Sequence, residues 1–319
     1  MKKILFTGCG GQIGSELTLA FREIYGNSNI IASDVSSEIN NEVLESGPFV
    51  HLDVLDSSRI AEVVDQFKID AIVHLAAILS AVGEKNPQLA WNVNINGSVN
   101  VFEVAREKKL ERVLVPSSIA VFGPDSPRTD APQKTILRPT TMYGVTKVAT
   151  ELLGDYYNRR FGMDIRGLRY PGVISYKTPP GGGTTDYAIA IYFDAIKQRS
   201  YDCFLKEDTM LPMMYMPDCI RATTELFQVG RDKLHHGTGY NVAGFSVTPA
   251  GIATSIRKVI PDFQISCHPD FRQAIADSWP DSLDDKEARA EWNWKPAYDL
   301  DRMTEDIIKE IRLMSCLHA

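Results

Sequence analysis

Tyr143 and Lys147 stand four residues apart in the segment Tyr143-Gly144-Val145-Thr146-Lys147. On a helix that spacing puts both side chains on one face, with Cβ atoms about 5–6 Å apart. A phenol that titrates near ~10 is a poor base at neutral pH. A nearby ammonium stabilises the phenolate, and any further positive charge beside it adds to that. Lowering the pKa by roughly three units corresponds to about 4 kcal/mol of preferential phenolate stabilisation. Tyr–Lys pairs are common on surfaces, so the pair alone decides nothing. Ser117-Ser118 strengthens it, because it follows an apolar run at 113–116 that reads as a strand. In open α/β sheets ligands bind at the carboxyl ends of the strands, where a serine hydroxyl can hold a reacting oxygen.

A second motif opens the chain. Residues 3–7 read as a buried strand and run into Gly8-Cys9-Gly10-Gly11-Gln12-Ile13-Gly14. Gly8 suits a tight strand-to-helix turn, Gly11 the close approach of a pyrophosphate, and Gly14 the packing of helix on sheet. The helix N-terminus, at Gln12 and Ile13, then offers free N–H groups to phosphates. A glycine motif gains weight from this strand–turn–helix context. Asp34 ends the second apolar run, 20 residues after Gly14. A carboxylate there accepts hydrogen bonds from ribose hydroxyls and repels a 2′-phosphate, and no Lys or Arg lies beside it, so NAD is expected rather than NADP. Asp53-Val54, after the third strand, can border the adenine. Leu75-Ala76-Ala77, after the fourth, lets the chain pass close to the cofactor.

These residues need a scaffold, and the periodicity supplies one. Short apolar runs at 3–7, 29–33, 49–52, 71–75, 113–116 and 165–170 alternate with helical patterns at 12–25, 57–67, 87–108 and 143–160. On the first helix Ile13, Leu17, Ala20, Phe21 and Ile24 share a face, and Ser57 is a candidate cap for the second. Strand and helix in regular order predict an α/β fold: a Rossmann-like, doubly wound parallel sheet with a smaller C-terminal substrate lobe. The expected division is an NAD-binding domain over 1–175, with 205–245 returning to it. The substrate lobe takes 176–204 and 246–319. Residues 178–185 read as a Pro/Gly-rich loop, 186–198 as a helix, 211–218 as a strand entering a helix, and 302–314 as a last helix.

Composition narrows the function classes. The chain has 319 residues, 44% of them hydrophobic and 24% charged, and a formal charge of −7. That is an ordinary globular balance, and its acidity argues against nucleic acid or an anionic membrane as partner. The apolar N-terminal run is too short for a signal core or a membrane span, so a cytoplasmic protein is expected. Five scattered cysteines without a C-x-x-C pair suit a reducing compartment. His235-His236, the one histidine cluster, has no carboxylate or cysteine at ligand spacing and reads as a solvated loop. No metal is expected.

Taken together, the motifs resemble the extended branch of the short-chain dehydrogenase/reductases, which includes nucleotide-sugar epimerases and dehydratases. The matching residues are Gly8, Gly11 and Gly14, Asp34, Asp53-Val54, and Asn94 in Val93-Asn94-Ile95-Asn96-Gly97. They continue through Ser117-Ser118, Val121-Phe122-Gly123, Tyr143-x-x-x-Lys147 and Leu168-Arg169-Tyr170-Pro171, then Met216-Pro217-Asp218 and Trp294-Lys295-Pro296. The resemblance covers nearly the whole chain. It implies Ser118, Tyr143 and Lys147 as the catalytic set, with Asn94 and Tyr170 at the cofactor.

Nucleotide-sugar enzymes usually carry an arginine shortly before the Met216-Pro217-Asp218 position. Here its counterpart is Leu211, which leaves a diphosphate without a bidentate partner. The segment 178–187 offers three glycines and two threonines, suited to a small carboxylate. With Asp277-Ser278-Trp279-Pro280, these features resemble the short-chain type of L-threonine 3-dehydrogenases, which lack zinc. The implied reaction is L-threonine plus NAD⁺ giving L-2-amino-3-oxobutanoate plus NADH. Ser80, Thr184, Thr185 and the Gly181–Gly183 backbone are then expected around the amino acid, with Ser118 and Tyr143 at its hydroxyl. Trp279 would close the pocket. The alternative is a nucleotide-sugar 4-epimerase or dehydratase. In the family the 87–108 and 143–160 helices pair across a homodimer.

Overall fold

The computed structural model describes residues 2–177 and 183–317, with side chains as far as Met314. The chain opens with β1 (Ile4–Thr7), α1 (Gln12–Tyr25), β2 (Ile30–Asp34), α2 (Asn41–Glu45), β3 (Phe49–His51), α3 (Ser57–Phe67) and β4 (Ala71–His74). Then come α4 (Ser80–Lys85), α5 (Pro87–Trp91), α6 (Gly97–Glu107), β5 (Arg112–Leu114), β6 (Ser117–Ser118) and α7 (Met142–Phe161). β7 (Ile165–Arg166), β8 (Leu168–Tyr170) and β9 (Gly172–Ile174) follow in quick succession. The rest comprises α8 (Tyr187–Gln198), β10 (Ser200–Cys203), β11 (Leu211–Tyr215), α9 (Met216–Gln228), β12 (Tyr240–Asn241) and β13 (Phe245–Val247). It ends with α10 (Pro249–Val259), β14 (Gln264–Cys267), α11 (Arg272–Ala276), α12 (Lys286–Trp292) and α13 (Leu300–Leu317).

Six strands form a parallel sheet in the order β3-β2-β1-β4-β5-β7. The order reverses direction between β1 and β4, which opens a crevice at their carboxyl ends where ligands bind in such sheets. Alternate residues of the strands feed two cores. Leu5 and Ile31 pack with Ile60, Val63, Phe102 and Tyr157 of α3, α6 and α7. Ile4, Phe6, Ile30 and Ala32 pack with Leu17 and Phe21 of α1 and Phe227 of α9. Each fully buried aliphatic or aromatic side chain contributes about 1.5–3 kcal/mol. Both faces are therefore covered, and the fold is Rossmann-like α/β.

The elements differ from the sequence reading in four instructive places. On α1 Ile24 falls off the inward face: it is 48% exposed, while Phe21 and Tyr25 pack against the core. α3 is capped by Asp56, whose side chain accepts from Arg59 N at 2.9 Å, rather than by Ser57, the first helical residue. The expected 87–108 helix is preceded by a separate α4 and interrupted by a π-helical turn at Asn92–Asn96. The sixth strand divides. Val115 N still bonds Arg166 O at 2.8 Å, but Pro116 has no N–H for the ladder. Pairing resumes one step on, Ser117 with Arg169 and Ser118 with Tyr170.

The second half adds a mixed sheet, β13-β11-β9, and a parallel pair, β10-β14. Its large core joins α8, α10 and α13 to Ile119–Phe122 and Trp279. Among the described residues no helix is long and apolar enough to cross a membrane.

Candidate active site

β1 delivers the chain into the glycine turn. Gly8 has φ +75°, and a Cβ there would lie 2.5 Å from the Ala76 nitrogen. A Cβ on Gly14 would lie 2.1 Å from the Gly8 oxygen, so α1 closes tightly onto the turn. At Gly11 a Cβ would meet only the Gly8 oxygen, at 3.5 Å, and the open side faces a cavity. Gln12 and Ile13 line the same cavity, and Gln12 Nε2 is buried with no hydrogen-bond partner among the described residues. The Asp34 carboxylate accepts from Gly10 N at 2.9 Å and Ser36 N at 3.0 Å, which fixes it beside the turn.

The cavity, of about 240 Å³, runs from this turn past the ends of β1 and β4 to the second half of the chain. Leu75, Ala77 and Ser80 form one wall, and Ser118, Tyr143, Lys147 and Tyr170 another. Thr184, Thr185 and Trp279 close the far end. Five residues expected at the site do not line it. Asp34 braces the turn from outside, and Ala76 backs Gly8. Asp53 accepts from Leu55 N at 2.9 Å, and Val54 packs against Gly97. Asn94, buried in the π-turn, binds Ile78 N through Oδ1 at 2.8 Å and Ile78 O through Nδ2 at 3.1 Å. It also donates to Thr146 at 3.0 Å, and so ties the segment after β4 to the catalytic helix. Gly181 and Gly182 lie outside the described residues. Leu211 is fully buried in the core of β11.

α7 presents the reactive groups. Thr141 caps it, accepting from Gly144 N at 3.1 Å. Burial pushes the Tyr143 phenol up to about 12, against a smaller opposing pull from Ser118, which lines the same cavity. Lys147 donates to Pro116 O at 2.8 Å, and its Nζ lies 5.5 Å from the Tyr143 ring centroid. Burial pulls the ammonium down to about 8 against the opposing pull of Glu151. Behind them His74 bonds Thr7 at 2.7 Å and Ser98 at 3.2 Å, and burial lowers it to about 3, so it is neutral. Thr184 Oγ1, nearly inaccessible, has no hydrogen-bond partner among the described residues.

Only Lys147 and Asp186 bring charge to the cavity walls, and no arginine does so among the described residues. Sequence reasoning passed over Glu151. It continues the Tyr143, Lys147 series by one more turn of α7, a spacing visible in the sequence. Its partners, Ser117 and Arg169, come from distant segments.

Residues 4–243 match the NAD dependent epimerase/dehydratase family. The chain belongs to this family. It is an enzyme that uses NAD, and the open face of Gly11, the orphaned Gln12 amide and the anchored Asp34 fit that cofactor. An uncharacterized epimerase/dehydratase of Staphylococcus saprophyticus is 47% identical over 98% of this chain and 97% of its own length. The L-threonine dehydrogenase structure from Clostridium difficile is 51% identical, covers 98% of each chain, and superposes with a TM-score of 0.96. A monomeric L-threonine 3-dehydrogenase of metagenomic origin is 46% identical over 98% of this chain and 99% of its own, with a TM-score of 0.94. This chain's cavity brings Tyr143, Lys147 and Ser118 together, and no arginine lines it among the described residues.

Proposed function

We propose that the protein is an NAD-dependent L-threonine 3-dehydrogenase, oxidising the β-hydroxyl to give L-2-amino-3-oxobutanoate. The observation that carries this reading is the cavity lining, which includes Ser80, Thr184, Thr185 and Trp279 and, among the described residues, no arginine. Hydroxyl groups there suit the carboxylate of a small amino acid. The diphosphate of a nucleotide sugar would lack its bidentate partner, which counts against the epimerase alternative.

In this mechanism Gly8–Gly14 and Asp34 seat the cofactor, with Leu75–Ala77 and Tyr170 along its length. When bound, NAD⁺ supplies the two-electron acceptor and a positive ring charge. Tyr143 takes the proton from the threonine hydroxyl; the hydride from Cβ is what the bound cofactor would accept. Ser118 donates to the same oxygen while it becomes a carbonyl. Lys147 holds positive charge beside the phenolate. Thr184 and Thr185 fix the carboxylate, and Trp279 covers the pocket against water. Such fixing matters because reacting atoms must sit near 3–3.5 Å apart.

Val145, Leu152 and Tyr156 leave an apolar stripe exposed on α7, with Leu89 and Trp91 exposed on α5. This stripe supports a homodimer, and light scattering would decide between that and the monomer described for the metagenomic relative. Free thiols at Cys9, Cys203 and Cys219 accord with a cytoplasmic setting.

The test is NADH formation by absorbance with L-threonine, L-serine or a UDP-hexose, run with NAD⁺ and NADP⁺. Turnover of threonine with NAD⁺ is expected. Its absence, together with conversion of the UDP-sugar, would overturn the reading.

A further inference from the structure

Three residues of one face of α7, each a turn apart, grip three consecutive residues at the end of the fifth strand. Tyr143 faces Ser118, Lys147 donates to Pro116 O at 2.8 Å, and Glu151 accepts from Ser117 Oγ at 2.5 Å. The grip exists because strands alternate. Where β6 pairs with β8, Ser118 and Tyr170 line the cavity, while the Ser117 and Arg169 side chains bind Glu151, Ser117 touching the cavity wall as well. Arg169 meets the Glu151 carboxylate in a bidentate pair, Nε to Oε1 at 2.9 Å and Nη2 to Oε2 at 2.8 Å. Its remaining nitrogen reaches Gln133 O at 2.9 Å and Asn241 Oδ1 at 3.2 Å. Both charges are more than nine-tenths buried.

A buried pair of this kind is weak evidence for stability, since apolar replacements often serve as well. Its geometry serves registration instead. Bidentate pairing fixes orientation as well as distance, and Glu151 is the point where the helix bearing Tyr143 and Lys147 meets both strands bearing Ser118 and Tyr170.

We propose that Glu151 is a positioning residue for the oxidation read above: with Arg169 and Ser117 it sets Ser118 against Tyr143 and holds Lys147 as the charged helper of the phenol. The groups that face Lys147 bear this out. On its own helix they are Tyr143 and Glu151. From β4 comes His74, neutral in its bonds to Thr7 and Ser98. From the strand end comes the Pro116 carbonyl, and Arg169 lies beyond Glu151. Glu151 is thus the anion that offsets the burial of the Lys147 ammonium.

Glu151→Gln tests this, because it keeps the shape and removes the charge. With L-threonine and NAD⁺, kcat is expected to fall by about ten-fold or more while both KM values change less, as for a small misplacement of reacting groups. The alkaline limb of kcat is expected to move down by about one pH unit. A merely structural role would lower the active fraction and leave that limb in place. The lysine ¹⁵Nζ resonance of Lys147, assigned with Lys147→Met, reads the same shift without any substrate. It decides for or against Glu151 even if wild-type enzyme proves inert toward threonine, an outcome that would sink the substrate reading alone. A folded Glu151→Gln with the wild-type limb and wild-type ¹⁵Nζ titration overturns the proposal. If that variant does not fold, Ser117→Ala carries the test: a several-fold lower kcat in a protein of near-native melting temperature supports it, and wild-type kcat overturns it.

Discussion

Lys147 Nζ lies 5.5 Å from the centre of the Tyr143 ring, and burial drives the two groups in opposite directions, the phenol up to about 12 and the ammonium down to about 8. Near neutral pH the cofactor-free site therefore holds a phenol and an ammonium. A working phenolate needs further positive charge, which the nicotinamide ring supplies when NAD⁺ is bound. Below the resulting pKa, kcat/KM is expected to rise about ten-fold per pH unit, since the base must first lose its proton. Lys147→Met should move that rising limb to higher pH. Tyr143→Phe should lower kcat by about 10²–10⁴-fold while NADH still binds, as read by its fluorescence.

The glycine turn gives a paired prediction. Gly14→Ala drives a Cβ into the Gly8 oxygen and should cost several degrees of melting temperature. Gly11→Ala meets no such obstacle, so its stability should stay within about 0.5 kcal/mol of wild type. Its Cβ enters the space proposed for the pyrophosphate, and the KM for NAD⁺ should rise ten-fold or more. A Gly11→Ala enzyme with normal NAD⁺ kinetics would move the cofactor off this turn.

How much of this was legible in the sequence follows from how local each signal is. The turn at Gly8–Gly14, the helix from Gln12, and the Tyr143–Lys147 face depend on neighbours in the chain, so spacing alone located them. Ser118 was legible because the serines follow an apolar run. The division of the sixth strand depends on Pro116, which belongs to a different segment, so the run 165–170 gave no sign of it. Asn94 carried a family signature, but only the fold shows it bonded to Ile78 and Thr146. Glu151 had the right period on α7. Its meaning required Arg169 and Ser117, which lie 18 and 34 residues away.

Asp34 is expected to set cofactor choice. Asp34→Ala removes an anion that would accept from ribose hydroxyls, interactions to a charged group worth about 1.5–3 kcal/mol. NAD⁺ efficiency should fall about 10–100-fold, and the preference over NADP⁺ should narrow because a 2′-phosphate no longer meets a carboxylate. Parallel kinetics with the two cofactors measure both effects.

His74 predicts how stability depends on acid. In the folded protein it is lowered to about 3 by burial, whereas in the unfolded chain it titrates near ~6.5. As pH falls through the upper value, the unfolded state takes up a proton that the folded state refuses. Stability should therefore drop by about 1.4 kcal/mol per pH unit below pH ~6.5 from this group. His74→Gln, measured by urea unfolding between pH 7 and 5, should flatten that slope.

Thr184 separates what the fold needs from what the substrate needs. Its Oγ1 is buried, lines the cavity and has no partner among the described residues, a burden of about 1–3 kcal/mol for a hydroxyl left unpaired. Thr184→Val keeps the shape and deletes that burden, so the free enzyme should melt at the same temperature or slightly higher. If the hydroxyl awaits the threonine carboxylate, the same change should raise the KM for L-threonine about ten-fold, the equivalent of one lost hydrogen bond to a charged group. Stability and affinity then move in opposite directions. A variant whose KM is unchanged would show that the hydroxyl serves something other than the substrate.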